Sequence, residues 1–177
     1  MSNPYSFESP LETEHIGSRL NALNVCAPEI AYHQFKRCCG SSKWADQMAR
    51  TRPFSSIMEL EKAADCIWMA SSREDWLEAF VAHPRIGQHS HNRWSQEEQS
   101  GVVIASSEIW SALADANQKY EVKFGHIFIL CATGKTALEI LAILQQRLCN
   151  DPTTEIQIAA EQQRLITRLR LIKLLSE

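Results

Sequence analysis

Apolar positions recur at helical spacing over most of this chain. From Ser55, the run SSIMELEKAADCIWMASS puts Ile57, Leu60, Ala64, Ile67 and Trp68 on one stripe and leaves Glu59, Glu61 and Lys62 largely off it. Residues Arg73 to Val81 repeat the pattern with Trp76, Leu77 and Phe80. A long candidate helix starts near Ser95 and runs through VVIASSEIWSALADANQKYEVKF. Two more read as Thr136–Leu148 and Thr153–Leu175, separated by Asn150-Asp151-Pro152, a turn that also starts a helix because proline is tolerated in a first turn. In the last of these, Ile156, Ala159, Ala160, Gln163, Ile166 and Arg170 fall along one side. The pattern breaks at HIFILCA, residues 126–132, which is short and apolar. A lone strand there would leave its ladder groups unpaired, so the stretch is read as a buried, extended or helical segment of an otherwise all-α protein.

Composition adds limits to this picture. The chain has 177 residues, 45% of them apolar, which is enough for one self-sufficient domain without disulfides or metal. A net charge of −3 argues against nucleic acid or an anionic membrane as the main partner. No apolar run approaches the roughly 18 residues of a membrane span. The opening MSNPYSFESPLETEH has neither a basic start nor an apolar core, so no secretory signal is read there and a cytoplasmic location is expected. The six cysteines contain no C-x-x-C pair, and adjacent Cys38 and Cys39 cannot bridge without strain; six reduced thiols, most of them small core residues, are expected.

Candidate chemistry concentrates in residues 82–101, a polar stretch with three of the six histidines. His83 precedes Pro84 at a helix exit, where an imidazole can either transfer protons or simply answer the last carbonyls of the helix. His83, His89 and His91 could form a metal set, although their spacing matches no zinc motif. Ser95 and Glu98 have the spacing of a capping box, and the same helix start, with its free N–H groups, suits an anionic ligand held by Ser95, Glu98 and Gln99. Thr133-Gly134-Lys135-Thr136 resembles the end of a phosphate loop, but the glycine required five positions earlier is Ile129; Gly134 instead breaks the chain ahead of a helix. Arg164, Arg168 and Arg170 read as a solvated flank diluted by Glu155, Glu161 and Glu177, unless one turns inward as a carboxylate clamp.

Taken in order, R-P-F-S-S (52–56), A-H-P-R-I-G (82–87), S-Q-E-E-Q (95–99), Y-E-V-K-F-G-H-I-F-I-L-C-A-T-G-K (120–135), R-L-C-N (147–150) and L-R-L (169–171) resemble the 2-oxo-4-hydroxy-4-carboxy-5-ureidoimidazoline (OHCU) decarboxylase family. The likeness spans about residues 17–175. It implies a single-domain all-α bundle over 17–177 behind an N-terminal extension of 1–16, usually a homodimer, with no metal or organic cofactor. It also implies decarboxylation of a small-molecule substrate to (S)-allantoin in urate degradation. Carried onto this chain, the resemblance makes His83 the catalytic histidine, with Glu98 assisting. It places Pro84, Ser95, Gln96, Glu97, Glu98, Gln99, Phe128, Ile129, Leu130, Cys131, Ala132 and Arg170 around the substrate, the 128–132 stretch partly through its backbone. Many members carry an acidic residue and a longer insertion after the H-P pair, where this chain has Arg85 and a short loop. Many read F-G-F-P-F where this one reads Phe124-Gly125-His126-Ile127-Phe128. Two other readings of the residues remain beside this one: a metal-dependent hydrolase built on the three histidines, and a non-catalytic helical binding module.

Overall fold

The computed structural model describes residues 10–86, 94 and 106–177, with side chains from Glu14 onward. Every regular element among them is an α-helix: α1 (Pro10–Val25), α2 (Pro28–Cys39), α3 (Ser42–Thr51), α4 (Ile57–Met69), α5 (Arg73–Val81), α6 (Ser107–Phe124), α7 (Ala137–Arg147) and α8 (Pro152–Ser176). The all-α reading holds. Helix α5 matches its sequence-predicted limits, and α7 and α8 lie within a residue of theirs. The start of the long helix predicted from Ser95 lies outside the described residues, and α6 is its latter part. Helices α1 to α3 precede the first one that periodicity placed, and α1 reaches back to Pro10, inside the expected N-terminal extension.

Side-chain caps set many of the helix starts. Ser41 Oγ accepts from the Trp44 N–H and Ser56 Oγ from the Glu59 N–H. Ser72 with Asp75 and Thr136 with Glu139 form full capping boxes. Asp151 Oδ1 accepts from the N–H groups of Thr153 and Thr154, both at 3.0 Å, so the Asn-Asp-Pro turn does start α8. Gly125 ends α6 at φ 74°, a left-handed conformation that other residues adopt only at a cost. Gly134, at φ 76°, turns the chain just before α7, as the failed phosphate-loop match implied.

The chain divides into two compact units. The first holds residues up to Ser71 and Thr167–Glu177, the second Ser72–Ile166, and α8 contributes to both. The first unit packs Phe35, Trp44, Met48 and Leu60 as fully buried side chains, with the Trp44 indole donating to the Ala64 carbonyl at 3.1 Å. Arg52 donates to the carbonyls of Leu23, Cys26 and Ala49, tying α1 to the end of α3. The second unit packs Leu113, Tyr120, Phe128, Ile140 and Leu144.

The apolar stretch that interrupts the helical pattern lies in the second unit. Residues 127–132 are neither helix nor strand. The objection to a lone strand is met by side chains, which take the place of a partner strand. Arg147 Nη1 donates to the Ile129 carbonyl at 2.7 Å, and the Cys131 N–H donates to Gln162 Oε1 at 3.1 Å. The Lys135 N–H closes the end of the stretch on the Ala132 carbonyl.

Behind this stretch is a buried polar network. Arg147 bonds Glu155 Oε1 through Nε at 2.8 Å and Nη2 at 2.5 Å, the Tyr120 hydroxyl donates to the same oxygen, and Asn150 donates to the other at 2.7 Å. The Glu155 side chain has no solvent exposure. This corrects its reading as part of a solvated flank: it is the buried counter-ion of Arg147. Removing either partner would strand a buried charge and cost about 3–5 kcal/mol. The Tyr120 phenol is pushed up, by burial first and by its bond to Glu155 second.

Candidate active site

His83 lies just past the end of α5. Ala82 is the C-cap, and the His83 N–H donates to the Phe80 carbonyl at 3.0 Å, so the imidazole is carried on the helix's closing turn. His83 and Pro84 are both half-buried. Three residues back, the Phe80 ring is fully buried and lies 5.3 Å, centre to centre, from the ring of His126. His126 also packs against Tyr120 at 5.5 Å and Phe124 at 6.3 Å, and its Nδ1 lies 2.9 Å from the Ile127 carbonyl. The end of α5 that bears His83 therefore rests on the first residue of the 126–132 stretch. Phe80 and His126, more than forty residues apart in sequence, thus meet in one unit.

Within that stretch, Phe128, Ile129, Leu130 and Ala132 have buried side chains, and Cys131 is half-buried. Arg85, next to Pro84, forms a two-point ion pair with Glu121 of α6, at 2.5 and 2.8 Å. The Arg85 hydrogen bonds hold the Glu121 carboxyl below the usual carboxylate range.

Arg170 belongs to the first unit. Of the three arginines read as a possible basic flank it is the inward one, 3% exposed, whereas Arg164 and Arg168 are half-buried. Arg164 pairs with Glu161, and Arg168 with Glu61 at 3.1 Å. The Arg170 charge acts on the buried thiols of Cys38 and Cys39, which burial pushes up to about 12 against its pull. Ser95, Gln96, Glu97, Glu98 and Gln99 lie outside the described residues, as do His89 and His91 of the metal alternative. Among the described residues, no group of three or more His, Cys, Asp or Glu side chains is placed to hold a metal ion.

These features sit on a chain whose family is clear. The OHCU decarboxylase family model matches residues 24–172. The chain belongs to the OHCU decarboxylase family. A crystal structure of an OHCU decarboxylase in the presence of (S)-allantoin superposes with a TM-score of 0.75 at 39% identity, covering 86% of this chain and all of that one. The uric acid degradation bifunctional protein TTL of Arabidopsis thaliana is 39% identical over 159 residues, 85% of this chain and 49% of its own. The 2-oxo-4-hydroxy-4-carboxy-5-ureidoimidazoline decarboxylase of Haloferax volcanii is 29% identical over 134 residues, 73% of this chain and 80% of its own. The chain thus spans about half the length of the Arabidopsis bifunctional relative and most of the length of the archaeal one.

Sequence reasoning placed Arg147 only within the R-L-C-N motif, read Glu155 as part of a solvated flank and passed over Gln162, yet these are the side chains that hold the 126–132 stretch and the network behind it. A signal for Arg147 existed. It continues the core-facing register of Ile140 and Leu144 on α7, and a charge on a core stripe demands a buried partner.

Proposed function

We propose that this chain is a cofactor-independent carboxy-lyase that converts 2-oxo-4-hydroxy-4-carboxy-5-ureidoimidazoline to (S)-allantoin and CO2 in urate degradation, working in the cytoplasm as a homodimer. Family membership supports the reaction class. The observation that carries the reading in this chain is the contact of the His83-bearing end of α5 with the 126–132 stretch, through Phe80 and His126.

The substrate itself supplies the electron sink. Its carboxylate-bearing carbon also carries a hydroxyl and adjoins a C=N carbon. When the bond to CO2 breaks, the electron pair moves into that C=N, the ring nitrogen takes a proton, and an enol remains. The enol oxygen then gives up its proton as it becomes a carbonyl, while the adjoining carbon takes a proton on one face. That second proton fixes the hand of the product. What the protein must add is orientation and one controlled proton transfer.

His83 is the acid/base of this scheme, its imidazole suited to proton transfer near neutral pH. Glu98 orients that imidazole or the ring N–H groups. Pro84, Ser95, Gln96, Glu97 and Gln99 surround the ring and ureido group, and Arg170 holds an anionic or carbonyl group. With most of the 128–132 side chains turned into the core, the backbone and Cys131 are what this stretch offers a ligand.

The test is circular dichroism of allantoin formation, with urate oxidised in situ beside a 5-hydroxyisourate hydrolase. The protein should produce a rapid (S)-allantoin signal, and His83→Ala should lower the rate by about 10²–10⁴-fold with the helical spectrum intact. Racemic allantoin at the spontaneous rate from folded protein would overturn the proposal.

A further inference from the structure

Arg147 and Gln162 take part in no step of the reaction proposed above, yet both bond the backbone of the stretch that this reaction places along the substrate. The Arg147 guanidinium reaches the Ile129 carbonyl at 2.7 Å from α7, and Gln162 Oε1 receives the Cys131 N–H at 3.1 Å from α8. The two bonds fall two residues apart in the chain. The stretch is thereby fastened at two points by two different helices.

Arg147 is itself held in place. Glu155 takes two of its N–H groups, and the Glu155 carboxylate is bonded in turn by Tyr120 and Asn150. The guanidinium lies 4.6 Å from the centre of the Phe128 ring, so the residue before Ile129 is fixed by the same group. A planar fork locked in this way delivers its bond to the carbonyl at one place, which a flexible ammonium would not. Gln162 is half-buried, and it fastens the backbone at Cys131, which is itself only half-buried.

We infer that Arg147 and Gln162 are positioning residues that set the path of residues 127–132, and through it the surface against which the substrate is oriented for one-sided protonation. The inference rests on the reading that this stretch lines the substrate.

The experiment uses the full chain in the stereochemical assay described above, with KM, kcat and the enantiomeric excess of allantoin as readouts. Gln162→Met removes the acceptor at similar volume, and Gln162→Glu keeps an acceptor oxygen in its place. Arg147→Lys keeps the charge beside Glu155 and loses the fork. Loss of one buried acceptor is expected to lower kcat/KM by about tenfold in Gln162→Met, with a lower excess of the S form, and Gln162→Glu is expected to recover most of that excess. Arg147→Lys should repeat the loss from the other fastening point. A purely structural role would lower the melting temperature and the active fraction, and would leave KM and enantiomeric excess at wild-type values. Folded Gln162→Met and Arg147→Lys proteins with unchanged KM and excess, beside an active wild type, would overturn this inference alone. A wild type without stereoselective turnover would overturn the proposed function and this inference with it.

Discussion

His126 stands where many family members carry phenylalanine, and its surroundings are those of an aromatic side chain: Phe80, Tyr120 and Phe124 pack around it. Burial holds its imidazole below the ordinary range. The bond to the Ile127 carbonyl and the Glu155 charge oppose that shift, while the charges of Arg147 and Arg73 add to it. The unfolded chain therefore takes up a proton at a higher pH than the folded one. The stability tied to this neutral ring is fully present above pH of about 6.5 and is lost as pH falls through the lower, folded value. His126→Phe removes the effect. Urea midpoints of the parent and the variant should run parallel above neutrality and diverge in acid, with the parent losing more; a parent curve no steeper than the variant's would dismiss His126 as the cause. At this scale the sequence marked His126 as a departure and His83 as a helix-exit residue, and both placements hold. It could not show Glu155 as buried, because apolar periodicity records only apolar residues. The partner that makes a buried carboxylate tolerable lies eight positions back, on another helix.

Helix boundaries were legible where a cap or a breaker coincides with a change of pattern. Ser72 with Asp75 starts α5, and Gly134 followed by Thr136 and Glu139 starts α7. Thr136→Ala removes the acceptor for the Glu139 N–H and should cost about 1 kcal/mol, read as a lower urea midpoint at unchanged slope. Thr136→Ser should restore most of it, and equal midpoints for all three proteins would show that the cap contributes nothing. Helix α3 was within reach of the same reasoning, since Trp44, Ala45, Met48 and Ala49 make a helical stripe. Helix α1 was harder, because among its described side chains only Ile16, Leu20 and Leu23 are buried. The 126–132 stretch was read as buried and either extended or helical. Its lack of helix follows from what holds it, since the side chains that satisfy Ile129 and Cys131 come from elements that local sequence does not specify.

At the scale of the whole molecule, length and composition gave one domain and helical periodicity gave the all-α class, but periodicity, being local, could not show that contacts divide the chain into two compact units. The expectation that most of the thiols are core residues also fails, because the cysteine pattern carries no record of burial. All six are free, but only Cys38 and Cys39 are fully buried, while Cys66 and Cys149 are exposed and Cys26 and Cys131 lie between. A thiol-reactive dye at pH 8 should therefore label Cys66 and Cys149 first. Cys38 and Cys39, pushed up to about 12 by burial, should react only as urea opens the first unit. Rapid labelling of all six in native buffer would contradict this packing. The fastening of residues 127–132 has a further consequence, for solubility. HIFILCA is apolar and free of proline, the kind of sequence that stacks with copies of itself once it is loose. An open strand edge is a template for such stacking, and here an arginine and a glutamine side chain occupy backbone groups that a neighbouring molecule would need. The two residues inferred to shape the surface offered to a ligand thus also cover two backbone groups of an apolar segment.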